Sequence, residues 1–296
     1  MTAERSSVEA GRHASLIHVA TLTLLWGTNW PLFPLAVREV SVWTFRAVCV
    51  LGAGGLVLAW ACWKGEELRI PRRHWATVVA ASVIYMGTWN IASTFAALMI
   101  PTGQAAVLGF TMPIWAALGG GLFFGDRLRG RSLAAIALSS AGVILLLAKG
   151  WTQYSSAPAG FAIGLTAGVG WAAGTLILRR WPVPTSSAVL TGWQLVITGL
   201  PLSAIALILG RGDWFMPTLT SIAVIAYITF VPMAIGNVVW FSVVGRLPPR
   251  IATLSPVLVP IVAMLSGALV RQEPLGLIEC IALVCCAMGL LLGMRR

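Results

Sequence analysis

The chain carries one apolar stretch twice, each time with the pattern Ala-x₇-Pro followed at a fixed distance by an acid. One offset of 147 residues joins every matched pair: Asn90 with Asn237, Ala105 with Ala252, Pro113 with Pro260, Asp126 with Glu273, and Gly142 with Gly289. An offset kept without a gap from residue 90 to residue 142 indicates a duplicated unit. Each copy places a proline within an apolar run, where the missing backbone donor costs a helix ~3 kcal/mol. Membranes tolerate this where the freed carbonyl finds another partner, so Pro113 and Pro260 are predicted to be helix hinges.

The composition is that of a polytopic membrane protein. The sequence is 58% hydrophobic and 10% charged, with a mean hydropathy of +0.89, and no soluble domain of 296 residues could cover that much apolar surface. The net charge of +11 comes from basic residues in loops between apolar runs, which favours a topology signal over nucleic-acid binding. The five cysteines and three histidines show no metal-ligand, disulfide or catalytic spacing. We therefore expect no metal, no cofactor and no enzymatic activity.

Ten apolar segments follow a polar tail at residues 1–15, which is predicted to be disordered and cytoplasmic. The first, Leu16–Val37, is interpreted as a membrane span and not as a signal peptide, because it is too long and lacks a small-residue cleavage site. Each segment is near the ~20 residues that cross a bilayer. Spans 1 to 10 are predicted over residues 16–37, 41–63, 74–97, 102–124, 131–149, 159–180, 186–209, 217–244, 249–271 and 274–294.

Basic residues lie mostly on one side of these spans. Of the 20 Lys and Arg residues, 15 fall on the side of the N-terminus, which places both termini in the cytoplasm and requires an even number of spans. Five spans per unit is an odd number, so the second unit enters the membrane from the opposite face. The predicted fold is thus all-α, with two inverted five-helix repeats over residues 16–150 and 159–296 around a central cavity.

Four short motifs resemble a known family. They are Trp26-Gly-Thr-Asn29, the repeated Ala-x₇-Pro, Gly125-Asp-Arg-Leu128 and Gln272-Glu-Pro-Leu275. Together they resemble the EamA repeats of the drug/metabolite transporter superfamily from about residue 16 to residue 294, and among its members chiefly an aromatic amino acid exporter, because of the tryptophan-rich spans and the length. The resemblance implies a ten-helix bundle with spans 1, 3, 4, 6, 8 and 9 around the cavity. It also implies export of small metabolites from the bacterial inner membrane.

Deep aromatic and amide side chains form the predicted binding site. Several deep tryptophans have a polar residue three or four positions away, on the same helical face, which is typical of a pocket for a flat amphipathic solute. The alternatives are lipid-facing or packing tryptophans, and asparagines that hold helices together by hydrogen bonds. The candidate solute-binding residues are Trp26, Asn29, Trp30, Tyr85, Trp89, Asn90, Thr111, Trp115, Trp171, Asn237 and Trp240.

Charged residues limit the mechanism. No carboxylate lies near the centre of a span, Glu279 being the nearest, and Arg46 is predicted to lie too near the outer edge to serve the cavity. The solute is therefore expected to be neutral or zwitterionic and its transport facilitative. Asp126 and Glu273, beside arginines at the membrane boundary, are interpreted as structural or gating ion pairs.

The preferred function is a secondary exporter of small neutral or zwitterionic metabolites, aromatic amino acids above all, that works by alternating access. Its expected partners are the solute and the lipid bilayer, with no nucleic acid, and the expected state is a monomer. The alternatives are an exporter of cationic or other amphipathic xenobiotics, or a membrane channel. A channel would leave the inverted duplication unexplained.

Overall fold

The structure is a computed structural model that describes residues 17, 20–125, 158–210, 217–239, 254–273 and 275–294, with single positions between 130 and 148. All regular secondary structure in these residues is helical. Predicted span 5 and the cytoplasmic tail lie mainly outside the described residues.

Six described helices are long and apolar enough to cross a membrane, and they correspond to predicted spans 2, 3, 4, 6, 7 and 8. Their bounds are Val42–Trp63, Arg72–Met99, Thr102–Phe124, Pro158–Arg180, Ser187–Leu209 and Leu219–Val239. Span 1 consists of a helix over 20–27, a 3₁₀ turn at Trp30–Leu32 and a helical turn at Phe33–Ala36. Spans 9 and 10 are the helices Leu254–Arg271 and Leu277–Met294. The described residues are therefore all-helical in their regular structure, and the protein is a multi-pass membrane protein.

The two prolines of the duplicated stretch have different surroundings. The helix of span 4 is interrupted at Phe110 and Thr111, immediately before the helix Met112–Phe124 that contains Pro113. Span 9 continues without interruption through Pro260. The backbone thus has a break at the first proline, whereas a hinge at Pro260 stays a prediction.

Local conformation repeats at the offset found in the sequence. Span 3 is π-helical over Ser82–Gly87 and span 8 is π-helical over Thr229–Ile235, and both stretches begin at equivalent positions. Span 4 ends at Gly125 with a φ of 67°, and the equivalent Gln272 after span 9 has a φ of 55°. Left-handed backbone suits glycine and is strained for glutamine. The two copies of the duplicated unit therefore share unusual backbone conformations at equivalent positions.

Glycines let the helices of the bundle approach closely. A Cβ at Gly170 would lie 2.6 Å from Cβ of Thr88, and a Cβ at Gly174 would collide with Cβ of Tyr85. Span 6 is thereby pressed against span 3. A Cβ at Gly168 would meet the Thr111 hydroxyl at 2.9 Å, which brings span 4 against the same helix.

Carboxylates from connecting segments cap the starts of distant helices. Glu273 accepts hydrogen bonds from the backbone N–H and the hydroxyl of Thr102, both at 2.9 Å, and lies 3.8 Å from Nε of Arg271. Glu39 accepts from the backbone N–H of Thr218 at 2.7 Å. The boundary ion pair predicted for Glu273 is confirmed, and the carboxylate also ties span 4 to the segment between spans 9 and 10. Its counterpart Asp126 lies outside the described residues.

Candidate solute-binding site

The helix of span 1 is interrupted in its middle. The helix over 20–27 gives way to a turn at residues 28–29 and then to a 3₁₀ turn that contains Pro31. Proline lacks a backbone donor and disfavours α-helical backbone in the residue before it, which explains the break. The spacing of three and four positions, which would put Trp26, Asn29 and Trp30 on one α-helical face, does not hold across this break. Trp26 contacts span 8, whereas Trp30 packs against spans 3 and 4.

Five rings from four spans form what we call the aromatic cluster: Trp30, Tyr85, Trp89, Phe110 and Trp171. Trp89 is at its centre, with its ring centre 4.6 Å from Trp171, 5.7 Å from Phe110 and 6.0 Å from Trp30, all edge to face. Tyr85 stacks on Trp171 at 5.5 Å with an angle of 12° between the rings. Edge-to-face and offset stacked pairs are the geometries that aromatic rings prefer. The structure thus brings together four of the predicted aromatic residues.

Phe110 is a member of the cluster that the sequence analysis missed. It is 4% exposed and contacts Trp30, Trp89 and Trp171. The available signal was its position inside the duplicated stretch Ala105–Pro113. An aromatic residue at that place could have been predicted to line the site together with the deep tryptophans.

Thr111 and Trp115 form a pair at the side of the cluster. The indole Nε1 of Trp115 donates a hydrogen bond to the Thr111 hydroxyl at 3.0 Å, which confirms that they share a face. Thr111 in turn donates to the carbonyl of Leu108. Within the described part of the chain, Trp115 makes no ring contact with the aromatic cluster.

Asn90 belongs to a buried polar group centred on Arg46. The amide Nδ2 of Asn90 donates to the Met86 carbonyl at 2.9 Å, and its Oδ1 accepts from Nη1 of Arg46 at 3.3 Å. Nε of Arg46 donates to the Thr94 hydroxyl. Arg46 is only 2% exposed, so the surrounding helices bury its guanidinium, while its position near the outer edge of span 2 stays a prediction. It starts in the second turn of span 2, but its long side chain reaches Asn90, nine residues before span 3 ends at Met99.

A phenylalanine links this polar group to the aromatic cluster. The ring centre of Phe33 lies 5.5 Å from that of Trp30 and 4.3 Å from Cζ of the Arg46 guanidinium. Phe45 lies on the guanidinium as well, with its ring centre at 4.8 Å. The side chain of Phe33 therefore contacts both the aromatic cluster and the buried guanidinium. This arrangement suits a solute with one flat apolar part and one negative group.

Span 8 contributes the second asparagine in the same local geometry as the first. Nδ2 of Asn237 donates to the carbonyl of Met233, just as Asn90 donates to Met86 at the equivalent position. Trp26 lies against this segment, with its Nε1 donating to the Pro232 carbonyl at 3.0 Å. π-Helical segments leave backbone groups free for such bonds and occur often at functional sites. Trp240 lies outside the described residues.

Asn29 has an unusual environment. Its Oδ1 is buried and has no hydrogen-bond partner among the described residues. A buried acceptor without a partner costs about 1–3 kcal/mol, so such atoms in folded proteins need an explanation. The predicted interhelical hydrogen bond is absent for this oxygen in the described structure.

The fold and the site define the class of this protein, and the sequence comparison shows its family. Apolar helices of membrane length, a repeated unit and a buried aromatic and polar centre are features of a polytopic membrane transporter. The sequence matches the EamA-like transporter family over residues 14–148 and again over residues 158–295, and the chain belongs to that family. A solved crystal structure with 17% sequence identity shares the fold, with a TM-score of 0.68 over 96% of this chain and 99% of that one.

Several bacterial relatives are named as transporters or efflux pumps. The chain is similar to the "Uncharacterized transporter YvbV" of Bacillus subtilis, with 24% identity over 88% of this chain and 84% of that protein. It is similar to the "Uncharacterized inner membrane transporter YedA" of Escherichia coli K12, with 26% identity over 88% and 84%. It is also 31% identical to the "Probable amino-acid metabolite efflux pump" of Escherichia coli K12, over 60% of this chain and 62% of that protein.

Proposed function

We propose that this protein exports small amphipathic metabolites, aromatic amino acids foremost, across the bacterial inner membrane. The observation that carries the proposal is the aromatic cluster, in which rings from spans 1, 3, 4 and 6 converge around Trp89. Such rings offer flat apolar faces, and the amides of Asn29, Asn90 and Asn237 are proposed to bind the polar part of the solute. The tryptophan-rich spans and the length of the chain resemble those of the aromatic amino acid exporter YddG. The relative named as an amino-acid metabolite efflux pump supports the same solute class.

The proposal includes a mechanism of alternating access. Ten spans form two inverted repeats, over residues 16–150 and 159–296, with both termini in the cytoplasm. Repeats of opposite orientation exchange roles when one rocks against the other. The matching π-helical stretches and the matching bonds of Asn90 and Asn237 support two equivalent halves. The protein acts as a monomer in the lipid bilayer and requires no cofactor.

Transport in this proposal is facilitative. Glu279 is 1% exposed, and its Oε2 accepts a hydrogen bond from the backbone N–H of Gly276 at 3.0 Å, at the start of span 10. A glutamate in this position of a helix commonly satisfies an unpaired backbone donor. Its contact thus favours a structural role over proton coupling.

Cationic xenobiotics are the second candidate solute class, since aromatic faces attract cations. The buried guanidinium of Arg46 argues against it, because it lies one ring away from Trp30. Two like charges in a site of low polarity repel each other strongly.

Counterflow in proteoliposomes tests the proposal. Vesicles loaded with unlabelled L-phenylalanine should take up labelled L-phenylalanine in a saturable manner, and an imposed proton gradient should not drive accumulation. Protein-free vesicles are the control. Conductance that rises without saturation would indicate a channel, and the absence of exchange with every amino acid tested would show that the proposal is wrong.

A further inference from the structure

The guanidinium of Arg46 is a buried cation whose partners are all neutral. It donates to Thr94 and Asn90, its Nη1 lies 4.0 Å from the sulfur of Met233, and two phenylalanine rings cover it. Its hydrogen bonds use Nε and Nη1, and none of those within the described part of the chain uses Nη2. No carboxylate of the described residues forms an ion pair with it.

A buried charge without a counter-charge is costly. Moving an ion out of water costs several kcal/mol even after relaxation, and neutral hydrogen bonds and ring faces offset this only in part. A neutral side chain of similar length could pack in the same place at lower cost. An anionic partner that comes from outside the chain would account for the charge.

The guanidinium is suited to one kind of anion. Its planar fork presents parallel N–H donors that match the two oxygens of a carboxylate. The edge formed by Nη1 and Nη2 has only Asn90 and the weakly accepting sulfur of Met233 as partners. A carboxylate at this edge would replace a weak contact by two charge-assisted hydrogen bonds.

A second observation comes from span 1. Oδ1 of Asn29 is a buried acceptor without a partner in the described structure, and Asn29 directly precedes Trp30 of the aromatic cluster. Trp30 contacts Phe33, and Phe33 contacts the guanidinium. The described residues therefore contain an acceptor without a partner at Asn29, next in sequence to Trp30, and a cationic edge of Arg46 that two ring contacts connect to Trp30.

We propose that Arg46 binds the carboxylate of the solute and that Asn29 accepts a hydrogen bond from one of its N–H groups. The solute class is then free amino acids with an aromatic side chain, and amines or amides that lack the carboxylate bind more weakly. This inference rests on the proposed function and makes it more specific. It narrows the expectation of a neutral or zwitterionic solute to a zwitterion whose carboxylate is bound by Arg46.

Binding of two nearly identical solutes tests the inference. L-Phenylalanine and L-phenylalaninamide differ at the carboxyl group, and neither absorbs at the wavelength that excites tryptophan, so a change in tryptophan fluorescence measures binding. In the wild-type protein, reconstituted in lipid nanodiscs, the amino acid should bind at least about tenfold more tightly than the amide. In Arg46→Gln this preference should vanish, through weaker binding of the amino acid. Asn29→Leu should weaken both solutes.

Arg38→Gln removes an exposed arginine from the neighbouring segment and should leave the preference unchanged. Equal binding of the two solutes by the wild type, or a preference that survives in folded Arg46→Gln, would overturn the inference while the proposed function stands. Arg46→Lys, which keeps the charge but not the fork, should retain a reduced preference and serves if the glutamine variant does not fold. If the wild type binds neither solute, the proposed function fails together with the inference.

Discussion

Glu273 caps the helix that begins at Thr102, although the two residues lie 171 positions apart. Its Oε1 accepts from the backbone N–H and the hydroxyl of Thr102, and its Oε2 accepts from the backbone N–H of Gly103 at 3.3 Å. Helix starts leave backbone donors without partners, and a carboxylate satisfies them while it also interacts favourably with the helix dipole. One side chain thus joins the two copies of the repeated unit.

Glu273→Gln should lower the free energy of unfolding by about 1–2 kcal/mol, because charged hydrogen bonds to a helix start become neutral ones. Thermal unfolding in detergent measures the change. Glu67→Gln, at an exposed glutamate near span 2, is the control and should have little effect. Equal stability of Glu273→Gln and the wild type would show that the cap is not energetically important.

Glu39 should make stability depend on pH. Hydrogen bonds from Ser221 and Thr218 hold the pKa of Glu39 below its usual value of 4.5. The unfolded chain then binds more protons than the folded one between the two pKa values, so this contribution to stability is complete above about pH 5 and is lost as the pH falls through the lowered pKa.

Unfolding midpoints of wild type and Glu39→Gln over a pH series check this prediction. The wild type should be the more stable above about pH 5, and the difference should shrink on acidification. In a Thr218→Val background the same substitution should have a smaller effect, since the hydroxyl that donates to Glu39 is already absent. A difference that does not change with pH would contradict the assignment.

Gly174→Ala should destabilise the protein by about 1–3 kcal/mol, because the new methyl group would collide with Cβ of Tyr85 in span 3. The backbone of Tyr85 lies within 3.3 Å of the same point, so the neighbour has little room to move. Gly55→Ala is the matched control. It adds a methyl group to a helix where no atom lies within 4 Å, and it should be neutral or stabilise by up to about 1 kcal/mol. Similar effects of the two substitutions would argue against close packing of spans 3 and 6.

The duplication allowed much of the fold to be predicted from the sequence. Asn90 and Asn237 were paired by their offset alone, and the structure gives them the same bond to a methionine carbonyl. Hydropathy and length sufficed for the six membrane-length helices, because a helix must bring about 20 apolar residues to cross the bilayer. The π-helical stretches were not predicted, although Pro232 within the second of them is a residue that disturbs regular helix.

Side-chain direction limits what the sequence could predict at the site. The position of Arg46 along span 2 did not predict its burial, because a long side chain extends far from its own turn and its burial depends on the helices around it. Trp26 and Trp30 were placed by regular helical spacing, which fails where Pro31 interrupts the helix. Pro31 was visible in the sequence and could have indicated the break. Tertiary packing around Arg46 had no such signal.

Trp89→Ala should weaken binding of L-phenylalanine about tenfold, since Trp89 contacts three other rings of the aromatic cluster. Aromatic pairs contribute about 0.5–1.5 kcal/mol beyond their buried area, and 1.4 kcal/mol corresponds to a factor of ten in affinity. Trp193→Ala is the matched control. Trp193 stacks edge to face with Trp75 at 5.3 Å and donates to the Leu68 carbonyl, so its loss should lower stability and leave affinity unchanged.

Calorimetric titration of folded protein with L-phenylalanine and L-leucine measures both effects. Trp89→Phe, which keeps a ring, should restore part of the affinity for L-phenylalanine. If Trp89→Ala weakens L-leucine as much as L-phenylalanine, or if Trp193→Ala weakens L-phenylalanine equally, the aromatic cluster does not select the solute and acts only in packing.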